Sequence, residues 1–376
     1  MPFNFTRSTS GTRINKDGLI EVVTNNKPRI DFLNDSNGAL LLEPQRTNLL
    51  TYSSSFDLWS QSAVSITVNN NISPSGIQDA DLITANGANT QHYIQKGVSQ
   101  SAKTYSVFAK MGTQRYIQIL TSGAAAPVAN FDLQDGFANM VGSNSTASIE
   151  DFGNGWWRCI LQTNDSLAGD FYINYASSLT MGRFGATTSS GTLYLWGAQA
   201  EVGNYQTSYI PTQGATATRV AESCSQTPPV GIIGQTEGTL FVETSKWVES
   251  NNGRFFSISD GTTSNHIVII QNTTFSNYAV YIVLGGLTQA SYTSTVTIAD
   301  NSKIAVGYKA NDVVIYVNGV QVHTDTLSVA IPACNKVYVS SRENGTATFQ
   351  SANGVRQALL YNTRLSNTEL ATLTTI

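Results

Sequence analysis

Asp79 and Asp81, in the stretch SPSGIQDAD, form the only Asp-x-Asp pair in the chain. Cleavage of a glycosidic bond needs two carboxyl groups facing each other across it, close together for a covalent route or wider apart to admit a water. An alternating acidic cluster on one strand would supply such a pair, and the chain has none. The turn-rich residues before Asp79 make solvated acids the expected reading. The alternative is a calcium loop, because Asp79, Asp81 and Glu201 carry the hard oxygen ligands that ion prefers, should they converge. The three histidines, His92, His266 and His323, lie in no nucleophile motif. His92 is expected to be a half-buried strand residue and His323 to point outward. No glycine-rich phosphate loop is present. Cys159, Cys224 and Cys334 lack CxxC spacing, which argues against a zinc site or a disulfide framework. The expectation is a protein that catalyses no reaction and carries no cofactor.

Aromatic and amide side chains remain. A sugar ring offers apolar faces that stack on Trp or Tyr, while its hydroxyls seek planar amides and guanidinium groups. Trp157 and Trp196 fall in strand-like stretches, with Tyr93, Arg115, Tyr172 and Tyr175 on other strands of the first half. If alternate positions face one side, several of these would line a groove. Packing competes for the same residues, since a tryptophan in a sandwich strand is commonly core. Alternation sends Trp156 and Trp157 to opposite faces, so one of the pair is expected in the core. In the second half, the polar loops SDGTTSNH, NTTFSNY and SRENGTATF put forward Asp260, Asn265, Asn277 and Asn344 as rim candidates. Ordinary turn chemistry accounts for the same residues.

The bulk numbers suit such a surface. Of 376 residues, 41% are hydrophobic and only 12% charged, about half the usual share; Ser, Thr, Asn, Gly and Gln fill the difference. Aromatics make up 10%, with 16 Tyr and 5 Trp. With 21 basic residues scattered among 25 acidic ones and a net charge of −4, a phosphate-tracking surface is not expected. No apolar run is long enough for a transmembrane helix. The opening MPFNFTRSTSGTRIN lacks the apolar stretch of a secretion signal, which predicts synthesis in a reducing cytoplasm.

Short β-branched and aromatic runs recur throughout: YSVFAK, RYIQIL, WWRCILQT, DFYINYA, TLYLWGAQ, TLFVETS, HIVIIQ, YAVYIVLG, KIAVGYK, KVYVSS and RQALLYN. Gly, Asn, Ser and Pro separate them. The pattern predicts an all-β chain of two antiparallel β-sandwich, jelly-roll domains in tandem. In NDVVIYVNGVQVHT, the Asn318-Gly319 pair predicts a two-residue hairpin turn. Ser366 and Glu369 form a capping box before one short closing helix. The Pro-Pro pair in ESCSQTPPVGIIGQTEG marks a linker at 222–236. It divides a first sandwich at 47–221 from a second at 237–376. Residues 1–46 hold too little apolar material for a core of their own and are expected to pack on the first sandwich or on a partner.

EGTLFVETSKW, VVIYVNGVQV and GVRQALLYNTRLSNTEL resemble, in order and spacing, the laminin-G-like, concanavalin-A-type lectin modules. FTRSTSGTRINKDGLIE, PRIDF, LLLEPQRTNLL, SSSFDLW, GWWRC and LYLWGAQAEVG with TSYIPT and ATRVAE resemble a region of tailed-phage virion proteins, read there as a carbohydrate-binding-module-like jelly roll. The resemblance implies a non-enzymatic virion protein, a tail fibre, receptor-binding spike or capsid fibre. It would be displayed on the virion surface and attach to host glycans through many weak contacts. Its implied partners are other virion proteins, host-surface glycans and sister copies, a trimer being common among fibres; no nucleic acid and no membrane insertion are expected. A decoration protein that stabilises the particle without a ligand is the alternative, and a polysaccharide depolymerase the third.

Overall fold

The computed structural model describes residues 3–33, 35–98, 101–122, 127–142, 145–163, 169–245, 253–272, 277–295, 299–327, 329–346 and 354–376. Strands dominate, as alternating apolar and polar residues require, and every pairing within the four large sheets is antiparallel. The chain divides into two compact units, one of residues 17–22 and 46–219, the other of 1–16, 23–45 and 220–376. Each is an antiparallel β-sandwich.

In the first unit, one six-stranded sheet runs Phe137–Met140, Val128–Asp132, Tyr116–Thr121, Phe171–Ala176, Tyr93–Lys96 and Ser60–Ser62. The other runs Ser145–Asp151, Trp156–Thr163, Thr104–Met111, Thr192–Glu201, Gln78–Ala85 and Val64–Ile72. Their facing sides share a core that includes Tyr105, Ile117, Ile119, Phe131, Phe171, Ile173, Tyr175 and Leu195. Period-two alternation therefore turns Gln118, Asn130, Tyr172 and Asn174 to the opposite side of their sheet.

The second unit has two seven-stranded sheets. Leu240, Val242, Phe255, Ile267, Ile269, Ile304, Val306 and Ile315 lie in its core. The predicted hairpin joins Val313–Val317 to Val320–Asp325, with Asn318 and Gly319 both at positive φ, 50° and 83°. The closing helix, Asn367–Thr374, begins at a complete Ser366–Glu369 capping box.

Two expectations about boundaries need correction. The stretch 222–236 is not simply a linker, because Ser223–Gln226 is a strand that pairs with Lys336–Val339. Nor does most of the N-terminal segment pack on the first sandwich; only residues 17–22 group with it. Asn4–Thr6 pairs with Ser223–Gln226, and Ala39–Leu41 pairs with Val355–Tyr361, so both extend the sheets of the second. A buried ion network explains why. Glu222 accepts from Arg7 Nη1 at 2.6 Å and from Arg29 Nε at 2.7 Å, and its second oxygen meets Arg29 Nη2 and the Glu43 N–H. Arg29 also reaches Glu43 at 2.9 Å. None of these four side chains is more than 4% exposed. Charges so buried persist only when mutually paired and hydrogen-bonded. The segments FTRS, PRIDF, LLLEP and ATRVAE are therefore held to one another by their own charged residues.

Candidate functional site

Gln118 sits between Ile117 and Ile119, Asn130 between Ala129 and Phe131, and Asn174 between Ile173 and Tyr175. With the apolar neighbours committed to the core, these amides share the outer face. The register aligns them: Asn139 opposite Asn130, Asn130 opposite Gln118, Gln118 opposite Asn174, and Asn174 opposite Tyr93. The result is one line of amides across the sheet that ends on an aromatic ring.

The segment Ser177–Thr187 lies over that line as a strap. Asn139 Nδ2 donates to the Leu179 carbonyl at 2.8 Å, Asn130 Nδ2 to Leu179 and Met181, and Gln118 Nε2 to Gly182 at 3.1 Å. In return, the Phe184 N–H donates to Gln118 Oε1 at 2.9 Å. Arg183 Nη2 donates to the Thr121 carbonyl at 2.6 Å. At the end of the line, Tyr93, Tyr172 and Phe184 meet edge to face, with ring centres 4.9 to 5.6 Å apart. Arg183 covers the Phe184 ring at 5.3 Å. All four side chains are partly exposed. Gln95, opposite Tyr172, shares the face. The Tyr172 hydroxyl donates to Asp170 at 3.3 Å; burial, then the Asp170 charge, raises its pKa. Phe184 holds a φ of +50°, a left-handed backbone that costs a bulky residue about 1–3 kcal/mol.

Of the groove candidates, the structure brings Tyr93 and Tyr172 together and sends the others elsewhere. Trp196 packs behind the opposite sheet against Phe108 and Tyr209, 4% exposed. Gly197, at φ +59°, leaves room there: a Cβ would stand 2.9 Å from the Phe108 ring. Trp157 lies under the turn before Gly136 and donates to the Leu133 carbonyl at 2.9 Å. Its neighbour Trp156 is buried and donates to the Ile72 carbonyl. Tyr175 is core, with its hydroxyl on the Ile83 carbonyl at 2.8 Å. Arg115 grips Asp132 with two nitrogens and also reaches Asp135. These four are corrected as groove residues, since each is committed to packing or to an ion pair.

The calcium candidates do not converge. Asp81 accepts the backbone N–H groups of Phe56 and Asn69, and Glu201 accepts Thr207 through both its N–H and its hydroxyl. Leu195 is the partner of Asp81, so Glu201 stands six residues farther along, about 20 Å at the usual strand rise. Among the described residues no cluster of three His, Cys, Asp or Glu is placed to hold a metal, Asp79 included. His92 is fully buried, not half-buried, between Thr187 and Asn86.

In the second unit, Asp260 accepts Thr262 and Asn265, Asn265 accepts the Gly285 N–H, Asn277 donates to the Ser294 carbonyl, and Asn344 accepts Thr346. Asp260 and Asn344 do turn work within their own loops, Asn265 and Asn277 tie to segments farther along the chain, and of the four only Asp260 and Asn265 meet. Residues 273–276 of NTTFSNY and 347–349 of SRENGTATF lie outside the described residues. The missed residues are Gln118, Asn130 and Asn174, and with them Gln95, Asn139, Arg183 and Phe184. An amide at the outward slot of RYIQIL, ANFD and YINYA was the available signal for the first three. The strap has no pattern that would have revealed Phe184.

No protein-family model and no curated protein matches the chain. Among solved structures, it is similar to a Ruminococcus gnavus IT-sialidase CBM40, with 16% identity over 38% of this chain and 85% of that one, at a TM-score of 0.31. Domain 4 of AbnA, a GH43 arabinanase from Geobacillus stearothermophilus solved with arabinotriose, aligns at 12% identity over 46% of this chain and 83% of its own, TM-score 0.33. The NanB sialidase from Streptococcus pneumoniae aligns at 15% identity and TM-score 0.33 over 38% of this chain; the match spans only 25% of that sialidase. At these scores the strand pairings, and not the likenesses, carry the fold assignment.

Proposed function

We propose that this protein binds glycans on the outer face of its first sandwich and breaks no bond in them. The observation that carries the reading is a partly exposed Tyr93–Tyr172 pair flanked by Gln95 and Arg183, at the end of a line of sheet amides that the strap covers. Tyrosine faces suit the apolar face of a sugar ring, and amides and guanidinium suit its hydroxyls. Few polar groups convergent on an aromatic floor is the usual composition of a ligand site. We extend the reading to a virion surface protein, with other virion proteins and sister copies as partners, on the strength of the sequence motifs. There many weak contacts would act together, and synthesis in the host cytoplasm would precede assembly.

The test is a glycan array probed with the wild-type protein and with Tyr172→Ala. Retention of at least one glycan is expected, with affinity lowered about tenfold in the variant, the size of a typical aromatic truncation at a binding hot spot. Equal retention by both proteins would remove the platform from the reading, and no retention would remove the glycan. Reducing ends released from a bound polysaccharide would show an enzyme instead. The commitment of Trp157, Trp196, Tyr175 and Arg115 to internal contacts favours a second reading, a particle-decorating protein without a ligand. Particle stability lost on deletion, with a silent array, would select it.

A further inference from the structure

The strap fills the bonding positions of three amides in the line, and the fourth is different. Asn174 is wholly buried, yet neither its Nδ2 nor its Oδ1 has a hydrogen-bond partner among the described residues. A buried amide with both ends unsatisfied disfavours the arrangement that buries it. The left-handed backbone of Phe184, at the point where the strap meets Tyr93 and Tyr172, adds a second unfavourable feature to the same closed state. Opposing them are the strap's bonds to Asn130, Asn139, Gln118, Thr121 and Gln91, all of a kind that hydroxyls can replace, while Thr187 anchors the far end of the strap through Thr90 and His92.

We infer that Asn130, Gln118 and Asn174 form a covered extension of the glycan site, and that the Ser177–Thr187 strap lifts to admit the ligand. The inference rests on the glycan-binding reading. A linear oligosaccharide along the line takes the place of the strap carbonyls at Asn130 and Gln118. One of its hydroxyls, both donor and acceptor, satisfies the two ends of Asn174. A ring then rests on Tyr93 and Tyr172 where the Phe184 side chain sits. From Asn139 to Tyr93 the line crosses four strand spacings, about 19 Å, which suits a run of several rings more than a single terminal sugar.

Two measurements on the full chain test this. The first is hydrogen exchange in the free protein. The Phe184 amide and its strap neighbours are expected to exchange at least about tenfold faster than the amides of Tyr116–Thr121 beneath them, as a separately opening segment does. Equal protection would overturn the strap. The second is binding to a panel of linear hexasaccharides of glucose, xylose, galactose and N-acetylglucosamine. Phe184→Ala removes the ring that plugs the platform and keeps a residue with a Cβ at the left-handed position, so it is expected to bind the best-retained member about tenfold more tightly, as a strap closed nine-tenths of the time requires. Adding Asn174→Leu should cancel the gain without lowering the melting temperature. Unchanged or weaker binding by Phe184→Ala, or a gain that survives Asn174→Leu, would overturn the covered subsite. If neither protein retains any hexasaccharide while the strap exchanges fast, the glycan reading and its covered extension both fall, and only the mobility of the strap stands.

Discussion

Glu222 and His92 show what single side chains decide in this molecule. Glu222 neutralises Arg7 and Arg29 where none of the three touches solvent. Glu222→Ala leaves two buried guanidinium groups short of a carboxylate, and breaking a buried pair from one side costs about 3–5 kcal/mol. The denaturant midpoint of the second unit should fall accordingly, and an unchanged midpoint would show that Glu43 suffices. His92 acts through pH. Burial lowers its pKa, so the folded state holds it neutral while the unfolded chain takes up a proton below about pH 6.5. Stability is thus fully present above the unfolded value and declines as pH falls through it towards the lower folded one. Calorimetry between pH 7 and 5 should show the first unit losing stability, with a shallower slope in His92→Gln; parallel slopes would refute the assignment. At this scale the sequence was half legible. Alternation told that Trp156 and Trp157 part ways, but both find partners: Trp157 packs on the core between the sheets with its N–H on the Leu133 carbonyl, and Trp156 is buried on the other face with its N–H on the Ile72 carbonyl. A one-dimensional pattern gives the face on which a residue stands and not what lies over it, which is why Tyr175 and Arg115 could be taken for groove residues.

Among elements, regular strands and the closing hairpin were readable because their signals are local. Asn318-Gly319 works by supplying two positive φ values in succession, and no distant residue is needed for that. Three-residue strands such as Asn4–Thr6 and Ala39–Leu41 carry too little periodicity to announce themselves, and their partners lie hundreds of residues away. The strap is invisible for a related reason: its order comes from amides on other strands. Gly197 offers an elemental test. The Thr192–Glu201 strand breaks register against Thr104–Met111 between Ser106 and Phe108, and Gly197 stands at that irregularity with φ +59°. Gly197→Ala adds both a left-handed penalty, about 1–2 kcal/mol, and a contact with the Phe108 ring. Thermal melting of the variant should fall by several degrees, while the glycan retention proposed for the opposite sheet stays as in the wild type; a loss of retention at unchanged stability would contradict the separation of the two faces.

For the whole molecule, the decisive feature is that the second sandwich is not contained in its apparent sequence range. Read by motif, residues 237–376 look complete, with an opening strand, a hairpin and a capped helix. Yet Asn4–Thr6 and Ser223–Gln226 complete one of its sheets, Arg29–Asp31 and Ala39–Leu41 complete the other, and Leu42, buried in its core, comes from the N-terminal segment. Arg356, on the strand Val355–Tyr361, pairs with Asp35 at 2.5 Å. Asp35 is held below the usual carboxylate range: burial opposes its charge, but hydrogen bonds from Arg356 and from the Asn37 and Gly38 amides outweigh it. Removing the first 45 residues therefore strips two strands from one sheet and one from the other, exposes Leu42's neighbours, leaves Glu222 without its two arginines, and leaves Arg356 with Glu243 alone. A fragment of 237–376 should lack a cooperative thermal transition, whereas adding 220–236 in the same chain and residues 1–45 as a separate peptide should restore one. The restored transition should weaken as pH falls below about 4, where the unfolded Asp35 begins to take up a proton that its folded state resists. A fragment of 237–376 that melts cooperatively by itself would show that the N-terminal strands decorate the sandwich and do not complete it.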